Sequence, residues 1–365
     1  MTAAPRGLAT DVGRVPSAGP ELDDAGRRRV AELLAGPVVS LHDHPIRLPD
    51  PLTTDSWREH STGNRDTLGV EGLRRSGLDV VFASALADPS VDRLLEWSAR
   101  LAPRTAEGVA VVDGWAAAQS FPGTAVLLAL EDLDCVGRDL GVIDRLAEAG
   151  FRSAGLAYNG GNPLGGGLGQ AVDPGLSALG RDAVRLLEER RVVVDLAHAG
   201  DRTTIAAAAV ATRPVVVSHA GARALWPSPR MKPDDVLRAV ADTGGLIGVE
   251  AAPGSTRVAG RPGHDLDAVM AHVEHVAGLV GVAHVALGPD TFFGDHAGLY
   301  AAAGWRPAPV PGHEDLPLPA TVTGMENPGE APAQAAAWLV AAGWSDADAT
   351  AVLGGNALRV LEELL

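Results

Sequence analysis

The chain has 365 residues and a formal net charge of -16, with 46 acidic residues against 30 Lys and Arg. Its hydrophobic fraction of 46% is typical of a globular protein, and the acidic surplus argues against a nucleic-acid-binding protein. The single cysteine, Cys135, excludes disulfide bonds and thiolate metal cages within one chain.

Residues 1–20 are rich in Gly, Pro and Ala, and we expect a flexible N-terminal arm there and a single domain over 21–365. The first thirty residues lack the apolar core of a signal peptide, and the chain has no apolar run of membrane-spanning length. The sequence therefore predicts a cytoplasmic protein without a membrane partner.

Eight short apolar runs follow an amphipathic helix predicted over 21–36, and they are typical of strands buried on both faces of a parallel sheet. The runs are 38–42, 78–85, 124–131, 153–158, 192–198, 215–220, 246–251 and 284–290. Helical periodicity separates several of them, as in 180–191, 233–245 and 266–281. Eight alternations within about 250 residues predict a (β/α)8 TIM barrel, with a doubly wound open sheet as the alternative.

Two irregular segments interrupt this alternation. The Gly-rich loop 159–175 lacks the Lys-Ser/Thr ending of a P-loop, so we do not expect it to hold a phosphate. The Pro-rich segment at about 291–332 predicts a long loop that covers or lines a binding site.

Polar residues stand at the C-terminal ends of the apolar runs. In a barrel these ends converge on one face, where active sites form, so the runs predict a site there. The residues are His42, His44, Glu131, Tyr158, His198, His219, Glu250 and Asp290.

The histidines in this set predict a metal centre. His42 and His44 are two apart on a strand, so both imidazoles point to the same side. His198 and His219 follow neighbouring strands, and a buried histidine is costly without a partner. A hydrogen-bonded core histidine explains any one of them alone, but four at three strand ends favour metal ligation.

A two-metal site needs an anionic bridge. The only lysine, Lys232, lies in a predicted loop, so a carboxylated lysine is not expected and Glu131 is the best candidate. Asp290 is placed to act as a general base on a metal-bound water, although an aspartate in a turn is the simpler explanation for that residue alone.

These residues lie in segments that resemble the membrane (renal) dipeptidase family of zinc peptidases in the amidohydrolase superfamily, from about residue 38 to the C-terminus. The segments are SLHDHPIRLP, LALED, LAYNGGNP, GLSALGRDAVRLLEERRVVVDLAHAG, PVVVSHAGARAL, PRMKPDD, HVALGPD and LGGNALRVL. The resemblance implies an amidohydrolase-type barrel that holds two divalent metal ions, with zinc as the expected metal. By analogy with the family, a homodimer is one expected assembly.

The resemblance also implies roles for individual residues. His42 and residue 44 would hold the first metal, His198 and His219 the second, and Glu131 would bridge them. Asp290 would match the family's general base. Arg230 would match the arginine that pairs with the carboxylate of the substrate, a role that suits a guanidinium fork, although a surface arginine before a helix is the alternative.

Two positions depart from the family. Residue 44 is histidine where the family usually has aspartate, which raises the charge of the site by about one unit. Tyr158 stands where the family has a histidine that contacts the substrate carbonyl, and its phenol could donate to a developing oxyanion or only pack over the barrel mouth. We expect Glu250 to bind a substrate amine or to pair with an arginine, and Phe293 and His296 to line the pocket.

The sequence thus predicts a binuclear metal-dependent hydrolase that cleaves a dipeptide or a similar small carboxylated amide by attack of a metal-bridged hydroxide. The departures at His44 and Tyr158 keep a second hypothesis open, in which the same barrel acts on a lactone or an N-acyl amino acid. A catalytically inactive binding barrel is the third hypothesis.

Overall fold

A computed structural model of the chain describes residues 7–11, 19–62, 67–85, 90–102, 105–106, 108–306 and 310–365. The strands in these residues are β1 (Gly7–Leu8), β2 (Val39–Asp43), β3 (Pro49–Asp50), β4 (Val80–Ala85), β5 (Thr105–Ala106), β6 (Val109–Val112), β7 (Thr124–Leu130), β8 (Phe151–Gly155), β9 (Val193–Asp195), β10 (Val216–Ala220), β11 (Leu246–Val249) and β12 (Val285–Leu287). The helices are α1 (Asp24–Leu34), α2 (Thr54–Thr62), α3 (Val70–Ser76), α4 (Val91–Leu101), α5 (Trp115–Ser120), α6 (Gly141–Glu148), α7 (Ala178–Glu189), α8 (Asp201–Val210), α9 (Asp234–Asp242), α10 (Leu266–Val280), α11 (His296–Ala303), α12 (Ala331–Ala341), α13 (Asp346–Thr350) and α14 (Asn356–Leu364).

The eight predicted apolar runs form the eight strands of a closed parallel barrel. Around the barrel the order is β2, β4, β7, β8, β9, β10, β11 and β12, and β12 pairs with β2 again. Closure runs through β4 and β7, which pair in register from Val80 with Ala125 to Ala85 with Leu130. The (β/α)8 TIM barrel is confirmed, and the open-sheet alternative is wrong because the sheet has closed on itself.

Alternate side chains of the barrel strands pack into two different hydrophobic clusters. In β4, Val80 and Phe82 face an inner cluster, whereas Val81 and Ala83 pack with the surrounding helices. The inner cluster also contains Val360 and other residues of the C-terminal helix α14. The strands are therefore buried on both faces, as their continuous apolar character predicts.

Two elements beyond the prediction flank the barrel. Strand β6 runs parallel to β7 and pairs with its first half, from Val109 with Thr124 to Val112 with Leu127. The segment 291–332 carries helix α11 and is therefore not loop throughout its described part. The side chain of Asp295 accepts a hydrogen bond from Gly298 N and caps this helix.

The N-terminal strand β1 pairs antiparallel with β3. Residues 1–6 and 12–18 lie outside the described residues, so the flexible arm over 1–20 stays a prediction. Among the helices that the structure describes, none combines the length and the apolar character needed to cross a bilayer.

Candidate metal centre

A cluster of two histidines and two carboxylates lies where β2, β7 and β12 end. His44 Nε2 is 2.8 Å from Glu131 Oε1 and 3.3 Å from Asp290 Oδ1. His42 Nε2 is 3.3 Å from the same oxygen of Glu131 and 3.6 Å from that of Asp290. One ligand atom from each of the four residues lies within 4.8 Å of all the others. The strand ends thus bring together four predicted site residues.

Strand geometry explains why His42 and His44 converge while Asp43 does not join them. Side chains two apart lie on one face of a strand, and the one between lies on the other. Asp43 instead accepts hydrogen bonds from Ser40 Oγ at 2.6 Å and from Thr291 N at 2.9 Å. These bonds hold the end of β2 against the loop that carries Asp290, whose φ of 56° lies in the left-handed region.

The two carboxylates of this cluster create a negative potential that favours positive charge. Burial lowers the pKa of both histidines, but the carboxylates of Asp290 and Glu131 outweigh burial and raise the pKa of His42 to about 9 and that of His44 to about 10. Burial raises the pKa of Asp290, but His42 and His44 hold it well below its usual range. The two carboxylates therefore stay ionised and attract positive charge, which is either the protons of His42 and His44 or a metal cation that displaces those protons.

A second histidine pair, His198 and His219, lies beside the first. The two Nε2 atoms are 3.0 Å apart, and the ring of His219 stacks on that of His42 at 3.5 Å. Burial, reinforced by positive charge on neighbouring residues, lowers the pKa of both His198 and His219 well below the usual value. Both imidazoles are therefore neutral.

Hydrogen bonds on the far side of each ring fix where the single proton sits. His198 Nδ1 lies 2.8 Å from the acceptor Asn159 Oδ1, so Nδ1 carries the proton. Ser218 gives its own hydroxyl proton to Asp195, so it accepts from His219 Nδ1 at 2.7 Å. Both Nε2 atoms therefore present lone pairs to each other.

These residues fit divalent metal ions. Two nitrogen lone pairs 3.0 Å apart repel each other unless a cation lies against both. His42 Nε2 is buried 3.3 Å from Glu131 Oε1 but forms no hydrogen bond. Neutral imidazole nitrogens together with carboxylate oxygens form the ligand set that zinc and similar divalent metals prefer.

The carboxylates of this site differ in which ligands they reach. Glu131 groups with His42 and His44. Asp290 belongs to that group and also to a second one, with His219 and Glu250. The bridging role of Glu131 stays a prediction, and Asp290 is a further carboxylate that reaches both sets.

Two tyrosines lie at the mouth of the barrel near the candidate metal ligands. The ring of Tyr158 stacks on His198 at 4.1 Å. Burial and the negative charges of Glu131 and Asp290 raise its pKa well above the usual value, so the phenol stays protonated. Burial and the negative charges of Asp290 and Glu250 likewise raise the pKa of Tyr300, on α11, well above the usual value.

Tyr300 was missed in the sequence because it follows the barrel strands and sits inside a segment predicted as loop. The rarity of tyrosine in this chain is the one sequence signal that could have pointed to Tyr300. The chain contains two tyrosines, and one of them already stands at a strand exit.

Arg230 and Glu250, predicted to bind substrate, bind each other. Arg230 Nη2 donates to Glu250 Oε2, and the carboxylate is fully buried while the arginine side chain is 14% exposed. Arg230 also donates to the backbone carbonyls of His219, at 2.7 Å, and Ala197, at 3.2 Å. Of the two expectations for Glu250, the structure shows the pairing with an arginine.

The two predicted pocket residues of the long segment have different positions. Phe293 packs against Gly69 and Gly72, where a Cβ atom would come within 2.3 Å of its ring, and its role in lining the pocket stays a prediction. The preceding Phe292 instead stacks on His44 at 4.3 Å. His296 is buried against Phe292, with ring centroids 4.7 Å apart, and its role in lining the pocket also stays a prediction.

The sequence model of the membrane dipeptidase family (Peptidase family M19) matches residues 56–300. This chain belongs to that family. Membership implies dependence on a divalent metal, in agreement with the ligand cluster. The first motif, with His42 and His44, precedes the matched region.

Known proteins resemble different shares of the chain. An uncharacterized protein in the pqqA 5' region of Klebsiella pneumoniae is 34% identical over 165 residues, which are 43% of this chain and 60% of that protein. An uncharacterized dipeptidase of Schizosaccharomyces pombe is 31% identical over 168 residues, which are 45% of this chain and 41% of that protein. The chain thus matches about half the length of these relatives.

Among solved structures, an amidohydrolase from Pseudomonas aeruginosa superposes with a TM-score of 0.76 at 21% sequence identity. The alignment covers 92% of this chain and 98% of that one. This similarity supports the (β/α)8 barrel fold. The departures from the family pattern at His44 and Tyr158 stay predictions.

Proposed function

We propose that this M19 family member hydrolyses the amide bond of a dipeptide or a related small amide with two bound divalent metal ions, zinc being the expected metal. The observation that carries the proposal is the pair of Nε2 lone pairs, on His198 and His219, that face each other at 3.0 Å beside the cluster of His42 and His44. A dipeptidase is also named among the relatives.

Metal ions held by these ligands would supply an activated water and polarise the substrate carbonyl. Asp290 is ionised and lies beside both ligand groups, so it can accept a proton from the attacking water at Oδ1. Tyr158 and Tyr300 keep their phenol protons, so both could donate a hydrogen bond to a developing oxyanion.

Three residues behind the second histidine pair orient the rings. Asn159 accepts from His198 Nδ1, whereas Ser218 and Asp195 form a relay behind His219 Nδ1. Such partners fix the tautomer, so that each Nε2 lone pair points to the metal side.

The test is a metal-depletion assay on the full chain. The protein is dialysed against a chelator and assayed on a panel of dipeptides before and after zinc is restored. We expect activity to disappear and return, and a Glu131→Gln variant to lose it. The matched control is Asp182→Asn, which removes an exposed carboxylate on α7. Equal activity with and without metal would refute the proposal.

The second candidate keeps the barrel and the metals but changes the substrate to a lactone or an N-acyl amino acid. His44 in place of an anionic ligand and Tyr158 in place of a histidine favour it, because both change the electrostatics at the reacting carbonyl. Turnover of a lactone or N-acyl panel, without turnover of dipeptides, would select it. An inactive barrel would bind well below one equivalent of metal. The cytoplasmic compartment and a homodimer stay predictions.

A further inference from the structure

Glu250 is a fully buried carboxylate with one oxygen unpaired. It follows β11 at the mouth of the barrel, and its ligand atom lies within 4.8 Å of those of His219 and Asp290. Its Oε2 accepts from Arg230, whereas Oε1 is buried without a hydrogen-bond partner. Burial raises the pKa of Glu250 to about 7, although the positive charge of Arg230 opposes that rise. The nearby hydroxyl of Ser255 donates to Ala252 O at 2.7 Å and leaves Oε1 unpaired.

The hydrogen bonds that Arg230 already makes limit how its guanidinium can bind a carboxylate of a substrate. Nη2 donates both to His219 O and to Glu250, and Nη1 donates to Ala197 O. A carboxylate binds a guanidinium in two-donor fashion through Nη2 together with either Nε or Nη1. Both edges share Nη2, so neither edge offers two free hydrogens.

The charges around Arg230 also disfavour binding of a substrate carboxylate. Glu250 neutralises Arg230, and Asp290 adds a second carboxylate within 4.8 Å of Glu250. A carboxylate brought to this end of the pocket would meet Glu250 Oε1 at close range, and like charges side by side are costly. A hydrogen-bond donor would instead satisfy the buried oxygen, which is expensive to leave unpaired.

We propose that Glu250 occupies the carboxylate-binding edge of Arg230 and makes this subsite select a substrate end that bears an N–H donor, such as a carboxamide, over a free carboxylate. The inference rests on the proposed function and deepens it. The preferred substrates are small amides whose end at Arg230 is blocked, for example a dipeptide amide. Arg230 then acts as a positioning residue that holds Glu250 in place.

Binding and turnover separate this inference from the proposed function. Binding is measured by calorimetry on the metal-loaded protein with a phosphinate mimic of Ala-Ala in two forms, one ending in a carboxylate and one in a carboxamide. Turnover of Ala-Ala and of Ala-Ala amide at the peptide bond is followed by mass spectrometry. Turnover tests the amide hydrolase, whereas the ratio of the two dissociation constants tests the subsite.

We expect the carboxamide form to bind the wild-type protein roughly tenfold or more tightly than the carboxylate form. In Glu250→Gln the amide nitrogen can donate where Oε1 accepted, so the ratio should move towards the carboxylate by a similar factor. The control Asp182→Asn should keep the wild-type ratio.

Three outcomes would overturn the inference. They are preference of the wild-type protein for the carboxylate form, an unchanged ratio in Glu250→Gln, and no binding of either form. If Glu250→Gln does not fold, as judged by circular dichroism, the wild-type ratio and a Glu250→Ala variant decide. Dipeptide turnover combined with carboxylate preference would leave the proposed function intact.

Discussion

The relay behind His219 makes a quantitative prediction for Ser218→Ala. The hydroxyl of Ser218 accepts from His219 Nδ1 at 2.7 Å and donates to Asp195 Oδ2, and all three side chains are buried. The substitution leaves one oxygen of Asp195 and one nitrogen of His219 without this partner. Loss of such a ligand-orienting contact costs about 10- to 100-fold in metal affinity. The two orphaned groups cost about 1–3 kcal/mol each in the free energy of unfolding.

Zinc affinity is measured by competition with a chromophoric chelator, and stability by urea unfolding of the metal-free protein. The control is Ser345→Ala, which removes the cap of α13 and should cost about 1 kcal/mol of stability with no change in zinc affinity. Unchanged zinc affinity in Ser218→Ala would refute the assigned tautomer of His219, and with it the argument that its Nε2 lone pair faces the metal.

Three further predictions follow from other contacts. Tyr158→Phe removes a protonated O–H donor beside His198, so kcat should fall by about 100-fold with little change in KM, and an unchanged kcat would exclude the phenol from catalysis. Burial lowers the pKa of His272 to about 4. The neutral ring accepts from Ala222 N and donates to Arg257 O, so its contribution to stability is present above pH 6.5 and is lost as the pH falls towards 4, by at most about 3 kcal/mol. Urea unfolding between pH 7 and 5 should show a flatter pH dependence in His272→Gln, and an equal slope would contradict this. Gly69→Ala places a Cβ 2.3 Å from the ring of Phe293 and should cost about 1–3 kcal/mol of stability, whereas an unchanged Tm would mean that the ring moves freely.

The barrel and most of the site could be predicted because parallel strands impose both. Strands covered on two faces are apolar along their length, so the polar residue at each exit marks where the strand ends. These exits meet at one end of a closed sheet. His42, His44, Glu131 and Asp290 were predicted in this way, and the structure places their ligand atoms within 4.8 Å of one another.

Features that depend on loops and on side-chain choice could not be predicted. Phe292 stacks on His44 whereas Phe293 packs against Gly69 and Gly72, and the sequence does not tell which of the two rings contacts His44. Tyr300 reaches the site from a helix outside the barrel pattern. The pairing of Arg230 with Glu250 joins two loops through one side-chain contact, which no periodicity records.

Crystallographic anomalous scattering at the zinc absorption edge tests the central claim most directly. Crystals of the zinc-loaded protein should show two anomalous peaks at the barrel mouth, one against Nε2 of His198 and His219 and one against Nε2 of His42 and His44. Anomalous density that is absent from both positions, or that lies elsewhere on the chain while the protein still hydrolyses dipeptides, would contradict the account.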